Sequence, residues 1–308
     1  MNVIICGVVK NAAARLKRNI EIAFQLGSEC NRFKIVIYEN NSSDATKSIL
    51  KEYATHPLFK IIMEDISDEA IKRTSDIWAY TAVTGSDHSC RIEQIANARN
   101  RLIDELNQDQ HAYAPFDYVV MIDFDAQHFL IEGILHSLQL VKENRKRVIY
   151  ANSPNYYDYY ALRSAHSAFN LFGPELMGEQ FWQTMTNHRL QLAPSDDLLP
   201  VYSAFNGIGV YDKRAFVGQR FAAVLTPIVK QVYEKLALQH SAIYEQHKPV
   251  LQSECQRYKG GEQCDLFFWK NNSGYDKPVV CEHVAFNFAL LNDGYDILIN
   301  PKMLYWWA

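Results

Sequence analysis

From Tyr118 to Ile122 the chain is apolar without a break, short and rich in β-branched residues, which predicts a strand buried on both faces. Similar runs predict strands over Asn2–Val9, Phe33–Tyr38, Phe59–Met63 and Arg147–Ala151. Between them, apolar positions recur at helical spacing over Ala12–Leu26, from Asp44 to about Tyr53, over Arg91–Ile103 and over Ile131–Glu143. Strand, loop and helix repeating from the N-terminus build an α/β fold of the Rossmann-like kind, a mixed but mainly parallel sheet flanked by helices. Ligands of such sheets collect at the C-terminal ends of the strands. Residues 65–88 are polar and irregular and predict a loop, and Val201–Tyr211 predicts a strand interrupted by Gly207 and Gly209. Phe216–Lys248 is mainly helical, and a further helix begins at Glu282 and His283. The apolar tail Leu304–Trp307 either docks on the domain or offers Trp306 and Trp307 for a weak membrane or partner contact.

The central run ends in Asp123 and Asp125, one residue apart. On an extended backbone two such side chains point the same way and repel unless a cation lies between them. Hard carboxylate oxygens suit Mg²⁺ or Mn²⁺, and an ion that also bridges a diphosphate is the most economical occupant. The bland alternative is a solvated strand end opening a turn. Other polar groups fall at strand ends on the same side. Val9-Lys10-Asn11 follows the first strand, with Arg15 in the next helix, and Glu39, Asn40 and Asp44 follow the second. These are candidates for a nucleotide's base and ribose, with a well-capped loop as the plain alternative. Arg91 and Arg99 could hold a diphosphate bidentately or serve in salt bridges, and Asn97 joins this donor-side set. Farther on, Tyr156, Tyr157, Tyr159 and Tyr160 surround Asp158, a wall against which a sugar could pack, with Trp182 as an addition. Asn206 and Gly207 are candidates on the same acceptor side. Glu282, Asp265 and Asp197 are candidate general bases, Asp158 is kept as a candidate catalytic carboxylate, and His283 is a candidate third metal ligand.

Composition narrows the picture without redirecting it. The chain has 308 residues, 48% hydrophobic and 21% charged, with a net charge of −4, so nucleic acid is not an expected partner. No run approaches the roughly 20 apolar residues of a membrane span, and no leader is evident. The expectation is one catalytic domain over residues 1–308, with 1–125 binding donor and 126–308 binding acceptor, cytoplasmic and soluble or peripherally attached to a membrane. Six scattered cysteines without a CxxC support neither a zinc cluster nor a disulfide framework. Cys255 and Cys264 could pair in an oxidising host, but free thiols are expected.

Taken together, Tyr38–Thr46, Arg91-Ile92 with Ile95–Asn100, Asp123-Phe124-Asp125, Tyr157-Asp158 with Arg163, Ser203–Gly207 and Cys281-Glu282 resemble the cryptococcal mannosyltransferase family of GT-A-fold glycosyltransferases. The resemblance implies hexose transfer from a nucleoside-diphosphate sugar, GDP-mannose by preference and a UDP-hexose otherwise, to a glycan or glycoconjugate. It also implies Mn²⁺ or Mg²⁺ at the acidic pair and leans towards retention. Here His283 stands where the family pattern has Cys, and Ser164 where it has Asp. Two competing readings remain. A sugar nucleotidyltransferase would want a glycine-rich basic loop after the first strand, which Val8–Ala12 matches poorly. A carbohydrate-binding protein would use the tyrosines alone.

Overall fold

The protein is described from a computed structural model, over residues 1–81, 86–166, 171–185, 190–259, 265–267 and 279–307. In chain order the elements are β1 (Asn2–Val9), α1 (Ala13–Ser28), β2 (Arg32–Asn40), α2 (Thr46–Lys51), β3 (Phe59–Glu64) and α3 (Asp68–Thr74). There follow β4 (Trp78–Thr81), β5 (Ser86–Ser89), α4 (Arg91–Gln108), α5 (Gln110–Tyr113), β6 (Tyr118–Ile122), β7 (His128–Phe129), α6 (Ile131–Glu143) and β8 (Arg147–Asn152). The remainder is α7 (Pro174–Met177), α8 (Glu179–Met185), β9 (Leu199–Val201), β10 (Ile208–Asp212), α9 (Lys213–Val217), α10 (Pro227–Gln239), α11 (Ser241–Lys259), α12 (Glu282–Asn292) and β11 (Asp296–Trp306).

One sheet runs through the molecule in the order β3-β2-β1-β6-β10-β8-β11-β7, with β9 paired to β11. The first four strands are parallel, β10 is antiparallel to both neighbours, and β8 and β11 are parallel to each other. This is the mixed, helix-flanked α/β class that the periodicity predicts. Alternation along the strands divides two cores. Val3, Ile5, Val120 and Ile122 face α1 and α6, whereas Ile4, Cys6, Val119 and Met121 face α4, α10 and α12. The strand β1 can lie close against the end of β6 only because residue 7 is glycine. A Cβ there would come 2.3 Å from the Ile122 carbonyl and 2.7 Å from the Phe124 ring.

Three expectations need correction. The supposed loop 65–88 contains α3 and the β4–β5 hairpin, with residues 82–85 outside the described part. Ser67 caps α3, accepting from the Ala70 amide at 3.2 Å, and acids open the helix while Lys72 and Arg73 close it. These short-range charges hold a helix that has no buried side chain, so hydrophobic spacing does not reveal it. The strand expected over Val201–Tyr211 is broken: β9 ends at Val201 and β10 begins at Ile208. Between them Asn206 (φ 53°) and Gly207 (φ 86°) take left-handed backbone, which no strand accommodates. Finally, Cys255 is disulfide-bonded rather than free, and Cys264 lies outside the described residues. Cys6, Cys30, Cys90 and Cys281 are free thiols. Among the described residues no helix is long and apolar enough to cross a membrane. The C-terminal tail docks: Tyr305 and Trp306 pair with Phe129 and His128, and Tyr305 is buried.

Candidate active site

The strand β6 stops at Ile122, and Asp123–Ala126 form a turn closed by the Ala126 amide on the Asp123 carbonyl at 3.3 Å. The two acids are therefore not aligned by extended backbone, as the sequence reading assumes. The turn itself brings both to one cavity. Its backbone is gripped from three sides. Asn19, fully buried in α1, donates to the carbonyls of Phe124 (2.7 Å) and Ala126 (2.9 Å). Arg18 donates to the carbonyls of Ala126 (3.1 Å) and Gln127, and Arg15 to that of Asp125 (3.1 Å). On the sheet side the Asp123 amide donates to the Gly207 carbonyl at 2.9 Å. Lys17 instead forms an exposed pair with Glu52. Asn19→Ala should loosen this turn and weaken Mn²⁺-dependent donor binding by about 10- to 100-fold, the usual cost of losing an outer-shell partner. Donor titration with excess Mn²⁺ checks it, and unchanged affinity would make Asn19 merely a packing residue.

Two loops close the opposite wall, bound by side chains instead of glycines. The Asn11 amide donates to Ser42 Oγ (3.0 Å) and Asn11 Oδ1 accepts from the Ser43 amide (2.8 Å). The first amides of α1 find acceptors across the gap: Ala12 on Thr46 Oγ1 (2.8 Å) and Ala13 on Asp44 Oδ2 (3.1 Å). Asp44 also accepts from the Thr46 amide at 2.9 Å, so its carboxylate is consumed by the fold. Burial, the largest single influence, raises its pKa, but the hydrogen bonds from Thr46 and Ala13 together bring it below the ordinary value. Glu39 is buried below the loop, one oxygen taking the Ser42 amide and the other unpaired. The resulting cavity, about 370 Å³, has Val9, Lys10, Asn11 and Asn40 on this side. Arg91, Arg99, Asp123 and Asp125 line the same cavity. Lys10 and Arg91 are exposed and have no ion-pair partner among the described residues. Asn97 lies instead on a second cavity of about 440 Å³ with Tyr38, Glu64 and Arg101, which shares Asn40 and Gln94 with the first.

Arg99 is the electrostatic hinge of the site. Buried in α4, it pairs with Glu282 at the start of α12 and, through Nη2, with Asp123 Oδ1 at 3.3 Å. Its guanidinium also lies 4.9 Å from the Phe205 ring centre. Burial nevertheless pushes Asp123 up to about 7, Arg99 counteracting while Asp125 and Asp158 add to the rise. Such a carboxyl gains from any further positive charge in the cavity. Two oxygen-donor side chains on a cavity that also carries cations for phosphate fit Mg²⁺ or Mn²⁺, which commonly takes one or two carboxylates and completes its shell with phosphate and water. His283 does not join them. It stacks on Phe205 at 3.9 Å, neither ring nitrogen making a hydrogen bond although Nε2 lies 3.7 Å from Glu282 Oε1, and burial, reinforced by Arg99, holds it neutral. Among the described residues no three His, Cys, Asp or Glu side chains converge as a metal cage.

The acceptor-side residues meet the acidic turn from β10. Asp158 accepts from the amides of Asn206 (3.1 Å) and Ala161 (3.3 Å), and Asn206 Nδ2 reaches Ser153 Oγ (3.1 Å). Gly207 lies against Tyr305, where a Cβ would fall 2.4 Å from the ring. The Tyr305 hydroxyl in turn reaches the Asp123 carbonyl at 3.5 Å. Tyr156 is buried, so it forms no open wall, whereas Tyr157 is half-buried between Tyr305 and Trp307. Trp182 stacks on Tyr160. Asp265 is drawn to Lys230 of α10, and Asp197 is exposed on its loop; neither lines the cavity. The residues missed by sequence reasoning are Asn19, Gln94 and Tyr305. Asn19 carried a signal: it falls among Leu16, Ile20 and Ala23 on the buried stripe of α1, where an amide needs a partner.

Residues 10–259 match the family described as Cryptococcal mannosyltransferase 1. Among curated proteins none matches the chain. Similar solved structures include Staphylococcus aureus TarS 1–349 in complex with UDP, at 11% identity and TM-score 0.43, covering all of this chain and 60% of that one. A second is the mannosyltransferase PcManGT from Pyrobaculum calidifontis in complex with GDP-Man and Mn²⁺, at 12% identity and TM-score 0.41, covering 72% of this chain and 47% of that one. A third is Mycobacterium tuberculosis glucosyl-3-phosphoglycerate synthase, at 10% identity and TM-score 0.35, covering 70% and 58%. The chain thus spans about half to three fifths of these proteins. The family match extends over most of the sequence and includes the acidic turn, the arginines of α4 and the Asn206-Gly207 bend, so the chain belongs to the Cryptococcal mannosyltransferase 1 family.

Proposed function

We propose that the chain is a metal-assisted glycosyltransferase moving a hexose, mannose by preference, from a nucleoside-diphosphate sugar to a hydroxyl of a glycan or glycoconjugate. GDP-mannose is the favoured donor and a UDP-hexose the alternative. The observation that carries this reading is the single cavity that Asp123, Asp125, Lys10 and Arg91 line together. Carboxylates for a cation and cations for an anion, across one space, suit a ligand that brings both a metal and a diphosphate. Residues 1–125 supply the donor side and 126–308 the acceptor side. Asp123 and Asp125 would hold Mn²⁺ or Mg²⁺, whose chemistry when bound is to neutralise charge on the departing diphosphate. Lys10 and Arg91, which line the same cavity, bind the same phosphates, while Asn11 and Asn40 orient the nucleoside. Asn206, Gly207 and Tyr157 bound the approach of the acceptor.

Retention is favoured on the state of the candidate bases. Glu282 is engaged by Arg99, Asp265 by Lys230, and Asp158 by two backbone amides. With these carboxylates engaged and Asp197 outside the cavity, the proton of the acceptor hydroxyl is assigned to the leaving phosphate, on the same face as the broken bond. Arg91→Ala should raise the donor KM about tenfold with kcat changed far less, the loss of one charge-assisted phosphate contact. An unaltered donor KM would return Arg91 to the surface. The function itself is tested by thermal shift against GDP, UDP, ADP and CDP, each with Mn²⁺ or EDTA. A stabilisation selective for GDP, or for UDP under the alternative donor, and erased by EDTA is expected; no nucleotide response, or one indifferent to EDTA, would overturn the reading.

A further inference from the structure

The C-terminal strand brings an exposed aromatic surface to the edge of the acidic turn, outside the cavity that the candidate donor ligands line. Trp307 remains 54% exposed, although its ring lies parallel to that of Tyr157, with centroids 5.4 Å apart and planes 15° apart. Tyr157 stacks in turn on Tyr305 at 6.1 Å and 27°. This ladder is fixed to the candidate reaction centre. The Trp306 carbonyl accepts from the Gln127 amide at 2.9 Å, two residues beyond Asp125, and Tyr305 reaches the Asp123 carbonyl. The Trp307 ring thus offers water a flat apolar face held in place by Tyr157, a surface that a ligand can cover. Its position beside the turn, on the side where Asn206 and Gly207 bound the acceptor approach, selects what that is.

We infer that Trp307, backed by Tyr157, is the platform on which a pyranose ring of the acceptor glycan stacks. The inference rests on the transferase reading and deepens it by naming the acceptor class and its contact. The C–H face of a pyranose is apolar and flat, and its rim of hydroxyls stays wet, which matches an aromatic plane open on one side. Transfer requires an acceptor hydroxyl held close to the donor sugar's anomeric carbon, and a ring anchored on a strand whose Trp306 carbonyl is bonded to Gln127 beside the acidic turn reduces the freedom lost in reaching it. The alternative occupant of an exposed tryptophan is a lipid surface. The nearby Asp125 is exposed and acidic, which disfavours an anionic bilayer.

The test is saturation-transfer NMR with methyl α-D-mannopyranoside and mannobiose on wild type, Trp307→Ala and Trp307→Phe. Nucleotide thermal shifts and sedimentation with phosphatidylcholine/phosphatidylserine vesicles are run on the same samples. Wild type and the Phe variant, which keeps an aromatic plane, are expected to bind within a few-fold of each other. The Ala variant should lose at least about tenfold in sugar affinity while retaining the Mn²⁺-dependent nucleotide shift. No sugar response in wild type, or equal binding by the Ala variant, would overturn the platform while leaving the nucleotide result untouched. Vesicle binding that depends on Trp307 without a sugar response would overturn it in favour of a bilayer contact. A sugar response at Trp307 in a chain with no nucleotide shift would overturn the acceptor role and make this a carbohydrate contact of another kind.

Discussion

Asp123→Ala is expected to lower sugar transfer by about 10³-fold or more, the scale on which a preorganised charge-stabilising group is lost. It should also abolish Mn²⁺-dependent donor binding. The fold should survive, because Arg99 keeps its partner Glu282 and the turn is held through backbone groups by Asn19, Arg15 and Arg18. The stability effect has a definite sign. Burial and the neighbouring acids raise the Asp123 pKa from 3.8 to about 7 despite Arg99, so the folded chain holds that proton more tightly than the unfolded one. The residue therefore withdraws stability as pH rises through that interval. Asp123→Asn should accordingly match or exceed wild type in metal-free Tm at about pH 7.5, and the difference should shrink at about pH 5. Thermal melts in EDTA at the two pH values read this directly. A large loss of Tm in Asp123→Asn would mean that the carboxylate is a structural ion-pair partner instead of a ligand awaiting a cation.

Arg163→Ala should be the most damaging change to stability, about 3–5 kcal/mol by urea unfolding. The guanidinium is fully buried and satisfied. It donates to both Glu175 oxygens (2.8 and 2.7 Å), to the Tyr233 hydroxyl (2.8 Å) and to the carbonyls of Tyr160 (3.0 Å) and Leu162 (2.7 Å). Alanine would strand the Glu175 carboxylate in an apolar interior. Arg163→Met with Glu175→Leu should recover much of the loss, since replacing both charges removes the unpaired one. The effect reaches the candidate site through the backbone. The Arg163 amide bonds the Ser203 carbonyl at 2.9 Å, at the head of the segment that delivers Asn206 and Gly207 to Asp123. A cost below about 1 kcal/mol for the single variant would show that the buried pair is not what fixes this segment.

The parts of the molecule governed by hydrophobic burial were legible in the chain. Tyr118–Ile122 is read as a strand because five consecutive apolar residues have no alternative but a doubly covered one, and α6 falls at Ile131–Glu143 as its period requires. The acidic pair stands out because charges rarely follow such a strand. What stayed hidden is governed by contacts distant in sequence or by backbone sign. The left-handed bend at Asn206-Gly207 looks like strand when only side-chain pattern is weighed. Glu39 and Asp44 read as ligands because short polar residues crowd a loop in either role, and only their hydrogen bonds separate cap from ligand. His283 reads as a candidate metal ligand because a ring nitrogen can always be one, and only the fold shows its flat face against Phe205. Asp265, adjacent to residues outside the described part, is taken up by Lys230, a pairing no local pattern announces.

The most direct measurement is a crystal structure of the protein grown with GDP and MnCl₂, with manganese located by its anomalous scattering. The account requires the anomalous peak at the carboxylates of Asp123 and Asp125, with the nucleotide in the cavity between them and Lys10 and Arg91. Manganese elsewhere, or a nucleotide seated outside that cavity, would contradict it.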